Sequence, residues 1–421
     1  MCPRCATATA TMSGAVPWCP TCDWNLDAYD RKRRVAEIGP RWADRWLHRA
    51  AYRLARGQYE RLVGAGLSGR ATIARVVITA VSVVLMLGLL ALVGLAGWLL
   101  AYDFPSLTIV PGLLLLAVAW LLRPRLGAFA ETDATALDPD ETPQLHALVA
   151  EVAAAIDAPV PHVVAVSDDV NAWSGAVGLR RTRVLCLGLP LWAVLTAQER
   201  LALLGHELGH FVNGDVRRRL WTQPAYTMLG SAAALIHPAG IVPAGHFLTV
   251  VAELVVRVLG IVISNVLMAL QVLLVWVGRR DAQRVEYLAD ELAARVAGTE
   301  AAVSLMEILA AAPTVDMLVR RDARTGAGPA TWRASVEESN LRGSARTALR
   351  LQLSIRDEAS FFASHPPTGL RARMLRARPY QPPALTLTPT RDESLDRELA
   401  TIQESFRRSI GPSARKMTPS A

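Results

Sequence analysis

The chain has 421 residues, enough for two or three domains. Hydrophobic residues make up 52% of it and charged residues 19%, a balance that argues against an ordinary soluble globular protein and favours membrane spans. The net charge of +8 favours an anionic partner, either nucleic acid or the headgroups of a membrane.

The first 25 residues contain two C-x-x-C pairs separated by 13 residues. This spacing is typical of a Cys₄ zinc ribbon and not of a disulfide framework, so we predict one structural zinc ion in a domain over residues 1–25. The predicted ligands are Cys2, Cys5, Cys19 and Cys22. The first 60 residues contain no apolar run, so we expect no cleavable signal peptide.

Residues 26–70 are predicted to form a basic helical linker. Arginines recur there at spacings of three and four, namely Arg41, Arg45, Arg49, Arg53 and Arg56. Such a helix can contact nucleic-acid phosphates or an anionic lipid leaflet, and its position directly before an apolar segment favours lipid over nucleic acid. Trp42 and Trp46 fit a helix at a membrane interface, although an amphipathic linker without a binding role fits equally.

Residues 73–122 hold two apolar runs, Ile73–Ala101 and Leu107–Leu122, which we interpret as a transmembrane hairpin. Arginines flank the hairpin on both outer sides and are absent from the break between the runs. The positive-inside rule therefore predicts a multi-pass protein of the cell membrane, with both termini and the polar part of residues 143–377 in the cytoplasm.

The region 143–377 follows a linker over residues 128–143. A helix from Pro143 to Ala158 is predicted first, and three short β-like runs between residues 162 and 187 predict a small sheet. A second apolar region over about 222–278 predicts two further spans, which gives about four transmembrane helices in all. The composition of residues 382–421 predicts a disordered tail.

His206, Glu207 and His210 form the motif H-E-L-G-H in a helix that is predicted to begin near Thr196 with a capping box. Positions four apart share a helix face, so both imidazoles can bind one zinc ion. Glu207 lies beside them and can take a proton from the water that the metal activates. For this motif alone, a helix with two structural histidines is the alternative.

A catalytic zinc ion needs a third protein ligand, and the candidate is Glu286 in V-E-Y-L-A-D. Asp290 lies four residues further on the same helix face, where it can orient a ligating histidine through a hydrogen bond. On their own, a glutamate and an aspartate at this spacing are typical of a solvated helix face.

The order of these motifs resembles the HtpX-like and CAAX-prenyl-protease-like membrane zinc metallopeptidases of the gluzincin class. The shared elements are H-E-L-G-H, two apolar segments, E-Y-L-A-D and H-P-P-T-G-L-R, within residues 73–377. The resemblance implies a zincin-like catalytic domain in a mainly α-helical chain with a small β-sheet. It implies His206, His210 and Glu286 as ligands of one catalytic zinc ion, and Glu207 as the general base.

The resemblance also implies roles that spacing does not reveal. His365 and Arg371 match the late H-P-x-x-x-x-R pattern, whose residues lie near the zinc and stabilise the oxyanion or the site. Without the resemblance, His365 would be a surface loop residue. Asn171, Ala172 and Trp173 match a segment expected on an edge strand that pairs with an extended substrate, and an ordinary hairpin strand is the alternative.

Two functions follow from these features. The first is a membrane-bound zinc endopeptidase that cleaves membrane or misfolded proteins, as in protein quality control, with membrane lipid as a further partner. The second is a non-catalytic zinc-ribbon membrane adaptor that keeps the metallopeptidase fold. The cysteine module and the short second apolar run depart from the family pattern, and the sequence carries no indication of substrate identity or oligomeric state.

Overall fold

The chain is described by a computed structural model. The described residues are all but 34–36, 38–40, 66–72, 103, 125–132, 179, 213–214, 239–246, 364 and 411–421. The chain divides into two compact units. Unit 1 consists of residues 1–69, 127–216 and 282–421, and unit 2 of residues 70–126 and 217–281.

The described part of the chain is mainly helical with a small sheet, which confirms the predicted fold class. The strands are β1 (Ala134–Ala136), β2 (Val163–Ser167), β3 (Ala172–Val177) and β4 (Thr182–Gly188). The helices are α1 (Arg41–Val63), α2 (Ile73–Ala101), α3 (Ile109–Leu122), α4 (Pro143–Ala155), α5 (Leu189–Val194), α6 (Ala197–Val212), α7 (Asp215–Ile236), α8 (Phe247–Ala297), α9 (Thr299–Leu309), α10 (Ala312–Arg324), α11 (Pro329–Glu338), α12 (Ala345–Asp357), α13 (Thr368–Ala377) and α14 (Pro389–Ile410).

The sheet of unit 1 has the strand order β1-β2-β4-β3. Strands β2 and β4 are parallel, and β3 runs antiparallel to β4 with Trp173 opposite Cys186. Strand β4 is buried on both faces: Leu185 and Leu187 lie in the main core, whereas Cys186 lies on the opposite face in a smaller cluster with Ala165 and Val184. Strand β1 was not predicted, because it has only three residues and lies within the expected linker over 128–143.

The main core of unit 1 lies between the sheet and the helices that follow it. Helix α4 begins with Pro143 at its first turn and places Leu145, Leu148 and Val152 on one buried face, which is the stripe expected of an amphipathic helix. This face packs with Trp192 and with Leu204 of α6 in the same cluster of buried residues. Helix α6 is therefore fixed to the core along most of its length.

The predicted disordered tail over residues 382–421 is wrong for the residues that are described. Residues 389–410 form helix α14, and residues 411–421 lie outside the described part of the chain. Leu395, Leu399 and Phe406 of α14 are buried in the main core, and Phe406 meets the ring of Trp332 edge to face. The fully buried Arg200 of α6 ion-pairs with two α14 carboxylates, which adds charged contacts to the apolar ones.

Unit 2 consists of α2, α3, most of α7 and the first part of α8. Among the described residues, Ile73–Ala101 and Glu253–Ala297 are each long and apolar enough to cross a membrane. The bent helix pair α9–α10 is also apolar enough in composition for one span, but its apolar residues belong to the core of unit 1. Helix α3 is apolar but has 14 residues, fewer than the roughly 20 that a transmembrane helix needs. The described residues thus supply two long candidate spans, and the number of four stays a prediction.

Candidate active site

Helix α6 carries the H-E-L-G-H motif, and its first turn is fixed as the sequence predicts. The backbone amide of Thr196 donates to Glu199 Oε2 at 2.8 Å, and the Glu199 amide donates to Thr196 Oγ1 at 3.4 Å. His206 and Glu207 are buried, and the rings of His206 and His210 lie edge to face 4.9 Å apart. Both imidazoles therefore share one face of the helix.

Two glycines on α6 allow the C-terminal part of α8 to approach closely. A Cβ atom on Gly205 would lie 3.0 Å from Ala293 Cα, and one on Gly209 would lie 3.2 Å from Ala289 Cα. These distances leave no room for a larger side chain without a shift of the helices. The close approach brings α8, which carries Glu286 and Asp290, against the histidine face of α6.

Glu286 faces both histidines of the motif. His206 Nε2 lies 3.6 Å from Glu286 Oε2, and His210 Nε2 lies 3.8 Å from Glu286 Oε1. Donor atoms of a tetrahedral zinc ion bonded at about 2.0 Å are about 3.3 Å apart, so each of these two histidine–carboxylate distances lies within about half an ångström of that separation. Burial by itself raises the pKa of Glu286, but the neighbouring imidazoles of His365, His210 and His206 lower it to about 2.

Asp290 orients His206. Its Oδ1 lies 3.0 Å from His206 Nδ1, so Nδ1 carries the proton and Nε2 keeps its lone pair toward Glu286. The guanidinium of Arg371 holds the same carboxylate with two hydrogen bonds of 2.6 and 2.9 Å. Burial raises the pKa of Asp290, but Arg371 and His206 bring it well below its usual range. Asp290 is therefore an ionised partner of both groups.

The contacts of Arg371 bear on the two roles that the resemblance implies for it, which are to stabilise the oxyanion or to stabilise the site. It is buried, and both donor nitrogens on one side of its guanidinium are engaged by Asp290. An oxyanion donor has to face the substrate, whereas Arg371 contacts Asp290 and the ring of His206. These contacts are those expected of a residue that stabilises the site, which is one of the two roles that the resemblance implies.

His365 joins the same group of donors. Its Nδ1 lies 2.5 Å from Glu286 Oε2, and donor atoms of His206, Glu286 and His365 all lie within 4.8 Å of one another. Unlike the others, its side chain is 50% exposed. His365 is the residue of the site most open to solvent. The structure therefore brings seven predicted site residues together from three distant segments of unit 1, namely His206, Glu207, His210, Glu286, Asp290, His365 and Arg371.

Strand β3 lies at the edge of the sheet, as predicted for the segment that begins at Asn171. The carbonyl of Asn171 accepts a hydrogen bond from the Gly188 amide at 2.8 Å, which extends the pairing with β4 by one residue. Ser174 Oγ donates to the carbonyl oxygen of Glu207 at 2.8 Å. The edge strand is thus tied directly to the H-E-L-G-H helix.

Comparison with known proteins agrees with this geometry. The sequence profile of peptidase family M48 matches residues 139–379, which is more than half of the chain and includes every residue of the site described above. The chain belongs to peptidase family M48. It is similar to a protease HtpX homolog from Syntrophobacter fumaroxidans (strain DSM 10017 / MPOB), with 27% identity over 242 residues, 56% of this chain and 77% of the relative. The M48 chain is thus an HtpX-like membrane metallopeptidase, from a family that uses zinc.

The N-terminal cysteines lie outside the M48 match but form a second group of potential metal ligands. Their sulfur atoms all lie within 4.8 Å of one another, and the cysteines are free thiols. The closest Sγ–Sγ distances, between 3.4 and 3.5 Å, approach the value of about 3.8 Å expected around a tetrahedral zinc ion bonded at about 2.3 Å. The donor set is all sulfur, which fits a closed structural zinc site.

Three features of the M48 site are visible only in the structure. Gly205 and Gly209 were read only as motif positions, although small residues spaced by four indicate close helix packing. The bond from Ser174 to Glu207 and the pairing of Arg371 with Asp290 were also missed. The last two join residues 33 and 81 positions apart, for which a single sequence has no local signal.

Proposed function

We propose that this M48 chain is a zinc-dependent endopeptidase that hydrolyses peptide bonds of membrane or misfolded proteins. The observation that carries the proposal is the complete set of groups around Glu286. Two motif histidines, a buried ionised carboxylate and an orienting Asp290–Arg371 pair lie together with Glu207 beside them. His206, His210 and Glu286 hold the catalytic zinc in this proposal.

The metal supplies Lewis acidity, which polarises the scissile carbonyl and acidifies water at neutral pH. Glu207 takes the proton from the attacking water and passes it to the leaving amine. His365 donates a hydrogen bond to the carbonyl oxygen as negative charge develops on it, and its half-exposed position next to Glu286 supports this role. Asp290 and Arg371 keep the imidazole of His206 in the tautomer and orientation that ligation needs.

Substrate recognition in this proposal uses the edge of β3. An extended segment pairs with the backbone of Asn171, Ala172 and Trp173 and adds a strand to the sheet. The edge position of β3 and its tie to Glu207 through Ser174 support this role. Backbone pairing selects weakly among side chains, so it suits an enzyme that cleaves exposed, unfolded segments of many proteins.

The experiment that tests the proposal is Glu207→Gln in the full-length protein. We expect the variant to keep its zinc, because Glu207 is not a ligand, and to lose at least about 100-fold in kcat toward an unfolded protein substrate. Zinc content by mass spectrometry and cleavage followed by gel or peptide release measure both. Wild-type cleavage rates in Glu207→Gln would disprove the mechanism.

Counting zinc separates the peptidase from the adaptor alternative. The peptidase with a ribbon binds about two zinc ions per chain, one at His206, His210 and Glu286 and one at the four cysteines. The adaptor binds one, which is lost only when the cysteines are replaced. The closely assembled donors around Glu286 favour the first arrangement.

The membrane arrangement that we propose has about four spans with both termini and the catalytic residues on the cytoplasmic side. The arginines that flank the apolar segments support this orientation. Anionic membrane lipid is the proposed second partner, and nucleic acid is not. Support comes from α1, where Trp42 and Trp46 are 78% and 67% exposed among outward-facing arginines.

A further inference from the structure

The N-terminal module, defined as residues 1–63, packs on the two helices that flank His365. Trp18 and Leu26 of the cysteine-rich segment and Tyr52 of α1 are buried in one cluster with Leu353 of α12 and Leu370 of α13. Trp18 and Leu26 are fully buried there. Leu370 directly precedes Arg371, so the apolar contact with the module lies one residue from the partner of Asp290.

Polar contacts complete this interface. Gln352 of α12 accepts a hydrogen bond from Trp18 Nε1 at 2.9 Å and donates to the carbonyl of Pro20 at 3.1 Å. Arg373 of α13 holds Asp23 with two hydrogen bonds of 2.8 and 2.9 Å. Pro20 lies between Cys19 and Cys22, and Asp23 follows Cys22. The contacts therefore reach the loop that carries two of the metal-binding thiols.

The module also holds both sides of the segment that contains His365. His48 Nδ1 lies 3.1 Å from the carbonyl oxygen of Ala359, at the start of the loop before His365. After α13, the guanidinium of Arg378 donates to the carbonyl of Leu62 at 2.9 Å. Residues 359–378, with His365 and Arg371 inside them, are thus anchored to α1 at each end.

Helices α12 and α13 are in close contact at Gly369. A Cβ atom on Gly369 would lie 1.9 Å from the carbonyl oxygen of Leu351, and the Gly369 amide donates to Ser354 Oγ at 2.8 Å. With so close a contact, a shift of α12 carries α13 with it. Arg371 would then move relative to Asp290, and His365 relative to Glu286.

We propose that the N-terminal module is a positioning element for the active site, and that its four-cysteine metal site sets how well Arg371 and His365 reach their partners. This inference rests on the proposed peptidase function. The residues that carry it are Trp18, Asp23, Gln352 and Arg373, which hydrogen-bond to one another across the interface and are not among the predicted site residues. Loss of the ribbon zinc lowers kcat because it displaces Arg371 and His365 from their partners.

The test is the double variant Gln352→Ala/Arg373→Ala in the full chain, which removes the polar contacts to Trp18, Pro20 and Asp23 and leaves all four cysteines in place. We expect about two zinc ions per chain to remain. We expect kcat to fall about tenfold, which is the low end of the roughly 10–100-fold losses seen when a residue that supports the metal ligands is changed. KM changes less than about twofold, since β3 is untouched. Hydrogen exchange in residues 368–378 accelerates. The variant Cys5→Ser/Cys22→Ser, which keeps only the zinc ion of the catalytic site, should show the same changes in kcat, KM and hydrogen exchange.

Arg376→Ala is the matched control. Arg376 lies on the same helix but ion-pairs with Glu307 of α9 and not with the module, so its loss leaves kcat and exchange as in the wild type. Arg373→Lys keeps the positive charge beside Asp23, so we expect this single variant to retain most of the wild-type kcat. Unchanged exchange in the double variant, or changed exchange with wild-type kcat, overturns the proposal.

The experiments distinguish a failure of this inference from a failure of the proposed peptidase function. If Glu207→Gln cleaves as fast as the wild type, the peptidase mechanism is wrong, while the exchange experiment still decides whether the module orders α13. If the cysteine variant does not fold, the double variant carries the test by itself, since its metal sites are intact.

Discussion

Asp290 is buried between two groups that both need its negative charge, the Nδ1–H of His206 and the guanidinium of Arg371. The substitution Asp290→Asn keeps the shape of the side chain but leaves the buried Arg371 cation without its counter-charge, which costs about 3–5 kcal/mol of folding free energy. We also expect zinc affinity at His206 to fall about 10–100-fold. Thermal unfolding and competition with a chromophoric chelator measure the two effects.

Asp316 provides the control for this substitution. It pairs with Arg320 on α10 at 2.7 Å, but the two side chains are 39% and 37% exposed. An exposed pair at this spacing contributes about 0.5 kcal/mol or less, so Asp316→Asn should leave both the unfolding temperature and zinc affinity unchanged. Equal behaviour of the two variants would contradict the orienting role of Asp290.

At the residue scale, helix periodicity explains which site residues the sequence could predict. His206 and His210, like Glu286 and Asp290, are four apart, and that spacing alone places each pair on one helix face. Arg371 had no such local partner. Its contact with Asp290 spans 81 positions, so only the resemblance placed it near the site, and only the geometry identified its partner.

The pairing of α6 with α8 depends on the absence of side chains at Gly205 and Gly209. Gly205→Val puts branched carbons where Ala293 Cα would already be 3.0 Å from a Cβ atom, and overpacking of this kind costs about 1–3 kcal/mol. The helices separate, Glu286 moves away from His206, and we expect zinc to be lost on dialysis. Gly57→Val on α1, with nothing within 4 Å of its Cβ position, should keep its zinc. Zinc retained equally in both variants would contradict this account of the helix pair.

At the element scale, the spacing of apolar residues predicted helices and strands correctly, whereas the average composition of a segment did not. Helices α2 and α4 and the edge strand β3 follow from apolar runs and motifs. Helix α14 was missed because residues 382–421 are rich in proline, threonine and charge. Its buried residues Leu395, Leu399 and Phe406 nonetheless recur at helical spacing, a pattern that the composition of the whole segment obscured.

At the scale of the whole molecule, the sequence predicted the parts but not their assembly. The zinc ribbon was predicted from cysteine spacing, and the late H-P-x-x-x-x-R segment was assigned by resemblance. Nothing local indicates that Asp23 meets Arg373, 350 positions away, or that Trp18 meets Gln352. Such contacts come from tertiary packing of apolar surfaces such as Leu26 against Leu370, which one sequence does not specify.

The distribution of charge over the whole chain leads to the last prediction. Arg41, Arg45, Arg49 and Arg53 face outward on α1, and in the described part of the chain no ion pair neutralises them. Each arginine at an anionic membrane surface contributes about 1 kcal/mol. We therefore expect Trp42 and Trp46 of the full chain to be protected from hydroxyl-radical oxidation in nanodiscs with phosphatidylglycerol, and less so in phosphatidylcholine alone. Peptide mass spectrometry reads each tryptophan separately.

Replacing the four outward arginines by glutamine should remove the difference between the two lipids, because the attraction is electrostatic. Added salt should weaken it in the wild type for the same reason, since the charges are screened within about 10 Å at 0.1 M. The nucleic-acid alternative is tested in the same samples. Protection of Trp42 and Trp46 by a short DNA duplex in phosphatidylcholine nanodiscs, with none from phosphatidylglycerol, would assign the basic face of α1 to nucleic acid instead of lipid.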